Sequence, residues 1–502
     1  MADVATPSGG TRATAGLRPA VEQNGINVID DAERGGRPSG LFWPWFASNI
    51  SVLAVAYGSF VLSFGLSFWQ AAVAGVVGVA VSFLFCGFIA IAGKRGSAPT
   101  MVLSRAAFGV RGNRLPAVLS WVLTVGWETV LVILATLATS TVFERLGWAS
   151  GTPTKVAALL VVSLLTVATG VLGFDAVMRL QTLITLVTAV LTVVYVALAA
   201  SDVHWSTVSA LPAGSSQQWL GGLVLVMTGF GLGWVNAAAD YSRYLPRSAS
   251  SRGVVFWTTF GGALGPAVLL VFGLLLAGSS PELSTAISSD PIGALTTLLP
   301  TWFLLPFAVT AVLGLVGGAV LDIYSSGLAL LTAGLRIPRP LAALVDGCLM
   351  IAGTVYVVFF TTEFLGPFQG FLITLGVPIA AWCGVMLADV ALRRRSYVEP
   401  DLYDPRGRYG DVQPVPIALV VVGTVLGWGL VTNSFAGWLA WQGYLLDVLG
   451  LGGREGPWAF AGLGVLVALL VGLLGTLLLS RGRVRAQESA LNGAAHDTGA
   501  RA

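Results

Sequence analysis

Gly229-Phe-Gly-Leu-Gly-Trp-Val-Asn236 lies inside an apolar stretch, Trp219–Ala239. An apolar helix of about 20 residues crosses the hydrocarbon of a bilayer, so the stretch predicts a membrane span. Gly229, Gly231 and Gly233 weaken the helix. A break in mid-bilayer frees backbone N–H and C=O groups, which is tolerated where they line a polar cavity or bind something polar. The quoted residues therefore predict a broken span with a binding site at the break.

A second weak point, Ala56-Tyr57-Gly58, lies in the first apolar stretch of the chain. Broken spans at corresponding places, five helices apart, are typical of transporters built from two inverted five-helix repeats. The two weak points together therefore predict a transporter of that kind.

The whole chain has the composition of a polytopic membrane protein. Of its 502 residues, 55% are hydrophobic and 10% are charged, whereas a soluble domain carries about 25% charged residues. We therefore predict an all-α protein that spans the bilayer. Twelve stretches are long enough to cross: Phe42–Gly65, Trp69–Ala92, Leu115–Thr139, Val156–Gly173, Val177–Ala200, Trp219–Ala239, Val254–Gly278, Trp302–Gly334, Leu341–Phe360, Phe368–Leu392, Pro416–Thr432 and Trp458–Leu479.

Basic residues predict the orientation of these spans. Of the 27 Lys and Arg residues, all but Arg145, Lys155 and Arg454 lie on one set of alternate connections or on the tails. Connections rich in Lys and Arg remain in the cytoplasm. We therefore expect both termini on the cytoplasmic side of the plasma membrane.

Other compositional features exclude several functions. The net charge of +3 is too small to indicate nucleic acid as a partner. Cys86, Cys348 and Cys383 lie in apolar runs, as core thiols do, and no predicted span contains a histidine. An intramembrane enzyme built on histidine, a channel with a repeated filter and an ATP-driven pump all lack their motifs. We predict no cofactor, no metal site and no required protein partner besides the lipid bilayer.

Two carboxylates inside spans are candidate functional groups, because unpaired polar groups in hydrocarbon are costly. Glu128 shares one face of the third span with Trp121 and Thr124. Asp322 lies in the eighth span. Gly318, Asp322 and Ser326 follow one another at intervals of four residues and so share one helix face. Such a face permits close helix contact, so Asp322 is expected to point into the protein.

Several motifs resemble those of purine-cytosine permeases in the nucleobase:cation symporter-1 family. Trp234-Val-Asn-Ala-Ala-Ala-Asp-Tyr-Ser-Arg-Tyr-Leu-Pro246 is similar to the W-x5-D-Y-[ST]-x-Y-x-P end of that family's sixth helix. Asp322-Ile-Tyr-Ser-Ser-Gly-Leu328 is similar to its N-x-Y-S-x-G-L stretch, and Gly126-Trp127 to its Gly-Trp in the third helix. The basic loop, Gly93–Pro99 with Arg105–Gly109, also resembles that family. The resemblance extends over roughly Phe42–Ser480.

The resemblance implies a leucine-transporter-type fold of twelve helices that imports a nucleobase by cation symport and alternating access. Composition and the basic residues predict a disordered cytoplasmic tail (1–40) and a second cytoplasmic tail (481–502). Between them, the resemblance implies a first five-helix repeat (41–200), a second, inverted repeat (215–395), a cytoplasmic loop (396–413) and two peripheral helices (414–480).

The resemblance also implies the substrate-binding residues. Family members hold a planar ring between two tryptophans that correspond to Trp127 and Trp234. Stacking tolerates ring differences, so hydrogen bonds from Asn236, Glu128 or Asp322 would supply selectivity. Gln369, at the start of the tenth span, is a candidate for an external gate by its location alone.

Three departures from the family pattern bear on substrate and coupling. Leu131 replaces the family's Gln or Asn in the third helix, and Asp322 replaces its Asn in the eighth. Sodium-coupled relatives carry hydroxyl side chains about one turn earlier, where this chain has Val316-Gly-Gly318. These residues favour proton coupling through Glu128 or Asp322. Sodium coupling, and another planar cargo such as a hydantoin, allantoin or a thiamine-related pyrimidine, remain alternatives.

Overall fold

The computed structural model describes residues 21–149, 151–361 and 365–489, and the regular secondary structure in these ranges is helical. The α-helices are α1 (Phe42–Ala47), α2 (Val52–Leu62), α3 (Phe68–Gly96), α4 (Thr100–Phe108), α5 (Arg114–Arg145), α6 (Thr152–Leu172), α7 (Phe174–Ala199), α8 (Trp205–Ser209), α9 (Ser216–Gly229), α10 (Gly231–Trp234), α11 (Ser251–Ser279), α12 (Pro281–Ser289), α13 (Pro291–Thr296), α14 (Thr301–Ala333), α15 (Arg339–Phe360), α16 (Leu365–Leu392), α17 (Pro414–Trp428) and α18 (Leu463–Leu479).

Nine helices in the described ranges are long and apolar enough to cross a bilayer, or eleven if each of two bent pairs is one span. The bent pairs are Pro38–Ala47 with Val52–Leu62, and Leu463–Leu479 with Arg481–Ser489. The shorter apolar helix α17 lies at the place of the eleventh predicted span. The protein is therefore an all-helical, integral membrane protein, and the number of twelve spans stays a prediction.

The break in the first span lies earlier than predicted. Pro38–Ala47 and Val52–Leu62 meet at 69° across residues 48–51, whereas Ala56–Gly58 is helical within α2. Side chains of the intervening residues bond to the freed backbone: Asn49 Nδ2 donates to Trp45 O at 2.8 Å, and Ser48 Oγ donates to the same oxygen at 3.3 Å. Ser and Asn side chains compete in this way with helical hydrogen bonds, so the polar run 48–51 ends α1 without a glycine.

The predicted break in the sixth span is confirmed at Phe230. α9 ends at Gly229, α10 begins at Gly231, and Phe230 has φ −119° and ψ −106°, outside the helical region. Side chains of α3 bond to the backbone at the break, since Ser82 Oγ accepts from Gly231 N (3.1 Å) and Cys86 Sγ donates to Gly231 O (3.1 Å). The break is thus a fixed feature of the packing between α3 and α10.

Gly58 serves the packing of α2 on α11 and does not break the helix. A Cβ atom on Gly58 would lie 2.3 Å from the backbone carbon of Gly273, and one on Gly273 would lie 2.0 Å from Val55 O. Two glycines facing each other thus let the two helix backbones approach, as small residues do in membrane proteins.

We expect Gly58→Ala to destabilise the protein, because the new methyl group has only backbone to displace. Overpacking of this kind costs typically about 1–3 kcal/mol, and more where backbone must move. The measurement is the temperature at which the detergent-solubilised protein loses its monodisperse size-exclusion peak. Gly40→Ala is the matched control, because a Cβ atom there meets nothing within 4 Å. Equal midpoints for the two variants would contradict this account of the α2–α11 contact.

The predicted basic connections meet at one end of the molecule, here called the basic end. Lys94 Nζ donates to Ala249 O (2.6 Å), and Arg95 Nη1 donates to Arg393 O (3.2 Å). These bonds join the connections after the second, sixth and tenth predicted spans. The three connections therefore lie on one side, as the alternation of spans requires.

Residues 21–41 pack on the basic end. Ile29 is buried, and Arg34 donates to Leu245 O and Lys94 O at 2.7 Å each. Of the predicted disordered tail, residues 1–20 lie outside the described residues, and the remainder is ordered by these contacts. The described part of the second tail, 481–489, is helical, and its residues 490–502 lie outside the described ranges.

Candidate functional site

A cavity lies where the two helix breaks meet. Four helical elements contribute to it: the break between α1 and α2, the break between α9 and α10, α5 and α14. Its lining consists of Ser48, Asn49, Ser51, Leu53, Tyr57, Trp127, Leu131, Gly229, Phe230, Gly233, Trp234 and Asp322. Each break therefore contributes residues to the same cavity.

Trp127 and Trp234 form two of the cavity walls. Trp127 is held edge-on by Phe368 of α16, with ring centroids 5.1 Å apart. A Cβ atom on Gly233 would lie 3.3 Å from Trp127 Nε1, so the absence of a side chain at Gly233 leaves room for this indole. The indole of Trp234 packs edge-on against Trp45 at 5.8 Å. The structure thus brings both predicted tryptophans to the cavity.

The two breaks are joined by a hydrogen bond. Trp234 Nε1 donates to Asn49 Oδ1 at 3.2 Å, while Asn49 Nδ2 is held by Trp45 O and Ser48 Oγ. This chain of bonds fixes the orientation of the Trp234 indole relative to the first break. In contrast, Trp127 Nε1 is buried with no hydrogen-bond partner in the described structure.

Among the described residues that line the cavity, Asp322 is the acidic one. It lies on α14 and is 1% exposed, and its Oδ2 atom has no hydrogen-bond partner among the described residues. A buried oxygen without a donor costs free energy that a bound N–H group would recover. Asp322 therefore gives the cavity one strong acceptor among aromatic walls.

Glu128 does not line the cavity. Its side chain is fully buried between α5, α14 and α15, where Ser326 Oγ lies 3.3 Å from Glu128 Oε2. The same hydroxyl lies 2.8 Å from Asp346 Oδ2, and Trp121 Nε1 donates to Asp346 Oδ1 at 2.8 Å. The predicted face with Trp121 and Glu128 thus points to a second polar group beside the cavity.

Asn236 and Gln369 also lie outside the cavity lining. Asn236 Nδ2 donates to Ser120 Oγ at 2.8 Å, which joins the residues after α10 to α5. Gln369 is half-buried near the start of α16, next to Phe368, the residue that contacts Trp127. The structure therefore brings Trp127, Trp234 and Asp322 together at the cavity. The other three predicted residues, Glu128, Asn236 and Gln369, lie outside its lining.

Sequence reasoning missed three residues that the structure places near the site. Asn49 and Tyr57 line the cavity, and Asp346 belongs to the polar group at Glu128. The sequence carries signals for two of them: the polar residues Ser48, Asn49 and Ser51 within the first predicted span, and the acidic Asp346 inside the ninth.

A buried ion pair lies at the basic end of the molecule. Arg243 Nη2 lies 3.4 Å from Glu22 Oε1 and donates to Tyr324 OH at 2.8 Å. The Glu22 carboxylate also accepts from the backbone N–H of Phe174 at 2.7 Å. Arg243 thus pairs with the N-terminal segment, although Asp240 lies one helical turn away in the sequence.

Asp240 itself is held by a different partner. Thr100 donates to Asp240 Oδ1 through its backbone N–H (2.7 Å) and its hydroxyl (2.8 Å). Burial raises the pKa of Asp240 to about 6, against the opposing effect of these bonds and of Arg243. Asp240 therefore joins α4 to the segment that follows α10.

A cavity between two broken helices in an all-helical bundle defines a membrane transporter. Residues 28–446 match the family described as permease for cytosine/purines, uracil, thiamine, allantoin. The chain belongs to this family, and it is a permease and not an enzyme. A relative from Bacillus subtilis (strain 168), named provisionally as the purine-cytosine permease YxlA, is 24% identical over 433 residues, which are 83% of this chain and 89% of the relative.

Solved structures show the same fold at low identity. Mhp1, a nucleobase-cation-symport-1 family transporter, in a closed conformation with bromovinylhydantoin bound, is similar with a TM-score of 0.67 at 18% identity, over 92% of this chain and 98% of Mhp1. The inward facing conformation of Mhp1 gives 0.61 at 18% identity, over 95% and 96%. A Na+-coupled sialic acid symporter gives 0.58 at 12% identity, over 92% and 93%.

Proposed function

We propose that the protein imports a nucleobase, cytosine or a purine, by proton symport and alternating access. The observation that carries the proposal is the cavity at the meeting point of the two breaks, with Trp127 and Trp234 as walls and an unpartnered Asp322 oxygen. Flat aromatic faces bind planar rings, and the carboxylate selects rings that bring an N–H donor.

The basic end is the cytoplasmic end in this proposal, because the Lys- and Arg-rich connections meet there. The first five-helix repeat contains the break at 48–51, and the second, inverted repeat contains the break at Phe230. Two peripheral helices follow and complete the twelve spans. Corresponding breaks at one cavity support this division, since inverted repeats place their discontinuous helices at a common midplane site.

The turn of α14 before Asp322 supports a proton as the coupling ion. Val316, Gly317 and Gly318 bring no side-chain oxygen to this turn. The carbonyl oxygen of Gly317 already accepts from Gln181 Nε2 at 2.7 Å. A hard cation requires several oxygen ligands. This turn therefore offers a sodium ion fewer oxygen ligands than a turn with hydroxyl side chains would.

The test is uptake of radiolabelled cytosine into proteoliposomes, with purines, pyrimidines and hydantoins as competitors. We expect accumulation driven by an inward proton gradient, abolished by a protonophore and unchanged when choline replaces sodium. At a 1:1 stoichiometry, one pH unit supports accumulation of about tenfold. Empty liposomes are the control. Accumulation on a sodium gradient with both pH values clamped would overturn proton coupling, and uptake of hydantoins without competition by cytosine would overturn the cargo.

A further inference from the structure

We propose that Glu128, Ser326 and Asp346 form a proton path separate from the substrate cavity, with Asp346 as the group that releases the proton toward the basic end. The inference rests on proton coupling in the proposed function. It adds a residue, Asp346, and a bridging hydroxyl, Ser326, to which no role in transport has been given above.

The hydrogen-bond geometry of Ser326 favours an additional proton at this site. A serine hydroxyl has one hydrogen to donate. Ser326 Oγ lies 2.8 Å from Asp346 Oδ2, 3.2 Å from the carbonyl oxygen of Ile323 on its own helix and 3.3 Å from Glu128 Oε2, so the shortest contact is with Asp346. When the hydrogen points to Asp346, Glu128 Oε2 faces a hydroxyl oxygen without a hydrogen. The pair of oxygens is then attractive only if Glu128 itself carries a proton.

The other oxygens of the two carboxyl groups assign that proton to Glu128. Asp346 Oδ1 accepts from Trp121 Nε1 at 2.8 Å, so the Asp346 carboxylate has two donors. Glu128 Oε1 is buried without a partner in the described structure. Since a buried carboxylate without donors is costly, the ionised form belongs to Asp346 and the neutral acid to Glu128.

A single shift along these bonds moves the proton toward the basic end. Glu128 Oε2 gives its proton to Ser326 Oγ, while the original hydroxyl proton of Ser326 passes to Asp346 Oδ2. Ser326 remains neutral, Glu128 becomes a carboxylate and Asp346 becomes the neutral acid. Asp346 then gives the proton to water, which leaves both carboxyl groups ionised and the site one charge more negative until Glu128 takes up another proton.

The distances of Glu128 and Asp346 from the basic end give the direction of the path. Glu128 lies 14 residues after the start of α5, and Asp346 lies seven residues after the start of α15. At 1.5 Å per residue, these are about 21 Å and about 10 Å from the basic ends of their helices. An open cleft at the basic end is lined by Arg114 of α5, Thr332 of α14 and Arg339 of α15. The same three helices thus carry the path and line the cleft, although Asp346 itself is buried and is not among the residues that line the cleft.

Few other charges of the described residues face this site. Among these residues, Asp322 on α14 is the remaining carboxylate near Glu128. Of the other helices packed on α5 and α15, α6 carries Lys155 near its opposite end, and Asp389 on α16 is paired with Arg393 at 2.6 Å. In the described ranges, Glu128, Asp322 and Asp346 form no ion pair with Lys, Arg or His.

This arrangement links proton and substrate through like charges. Glu128 and Asp322 repel each other when both are ionised. A proton on Glu128 therefore favours the Asp322 carboxylate, which accepts the N–H group of the substrate. By linkage, a substrate bound at Asp322 also holds the proton on Glu128, and this effect weakens when the substrate leaves and no longer stabilises the ionised form of Asp322.

The test compares proton-driven accumulation with exchange in proteoliposomes. A gradient of one pH unit should drive about tenfold accumulation of cytosine in the parent. In Asp346→Asn, we expect the internal and external concentrations of cytosine to be about equal. Exchange of internal for external cytosine at equal pH needs no net proton release, so it should continue at a rate near that of the parent. Asp346→Glu restores a carboxyl group and should restore accumulation.

Ser326→Ala should also lose accumulation, because the bridge between the carboxyl groups is removed, and Ser326→Thr should retain it. Ser325→Ala is the matched control: this neighbouring hydroxyl contacts Tyr241 OH at 3.1 Å instead. If Asp346→Asn fails to fold, the Ser326 pair tests the path alone.

Two outcomes would overturn the inference while the proposed function stands: Asp346→Asn or Ser326→Ala accumulates cytosine like the parent, or Asp346→Asn loses exchange together with accumulation. A parent protein that accumulates on sodium alone would overturn proton coupling and the path with it.

Discussion

Trp127→Ala and Trp234→Ala are each expected to weaken nucleobase binding by about tenfold or more. Stacking of a base on an aromatic side chain contributes about 1–3 kcal/mol by alanine substitution, and each 1.4 kcal/mol is a factor of ten in affinity. Both indoles line the cavity, and the substitution removes the flat face that a ring would cover. The measurement is the dissociation constant of radiolabelled cytosine for the detergent-solubilised protein.

Phenylalanine variants separate stacking from hydrogen bonding at the two positions. Trp127 Nε1 has no partner in the described structure, so Trp127→Phe should keep most of the affinity. Trp234 Nε1 holds Asn49, so Trp234→Phe should lose more, by the roughly 0.5–1.5 kcal/mol of a hydrogen bond.

Trp302→Ala is the control for these variants, because Trp302 is 65% exposed and does not line the cavity. Alanine variants of both cavity tryptophans that bind cytosine like the parent would exclude the stacking site.

The position of the second break could be predicted from sequence, whereas that of the first could not. Gly229, Gly231 and Gly233 surround Phe230, and glycine weakens helices by a local effect that sequence shows directly. The first break was wrongly predicted at Gly58, because this glycine does not break the helix. It allows the close approach of α2 to Gly273 on α11. That contact joins residues more than 200 positions apart, and a single sequence does not reveal it.

Prediction of the candidate site from sequence was likewise limited by contacts between helices. The periodicity of α5 correctly placed Trp121 and Glu128 on one face. It could not tell whether that face meets the cavity or a neighbouring helix, because this depends on how α5 is rotated against α14 and α15. As a result, the sequence grouped Glu128 with the substrate residues, and the structure separates it from Asp322 by placing it against Ser326 and Asp346.

We expect Asp322→Ala to lower cytosine affinity by about 10- to 150-fold. Hydrogen bonds to charged groups contribute about 1.5–3 kcal/mol, which corresponds to this range at 1.4 kcal/mol per factor of ten. The carboxylate has no donor among the described residues, so the substrate N–H group would be its partner in the cavity. Affinities of cytosine and of analogues with methylated ring or exocyclic nitrogens are measured for both proteins.

The analogue series decides whether Asp322 touches the substrate or only shapes the cavity. In the parent, methylation of the nitrogen that donates to Asp322 should weaken binding, and in Asp322→Ala the same methylation should have little further effect. Such non-additivity is the signature of a direct contact between the two altered groups. If Asp322→Ala weakens cytosine and every analogue by the same factor, Asp322 has no N–H partner on the ring. The acceptor would then have to be sought among the other polar cavity residues, Ser48, Asn49 and Ser51.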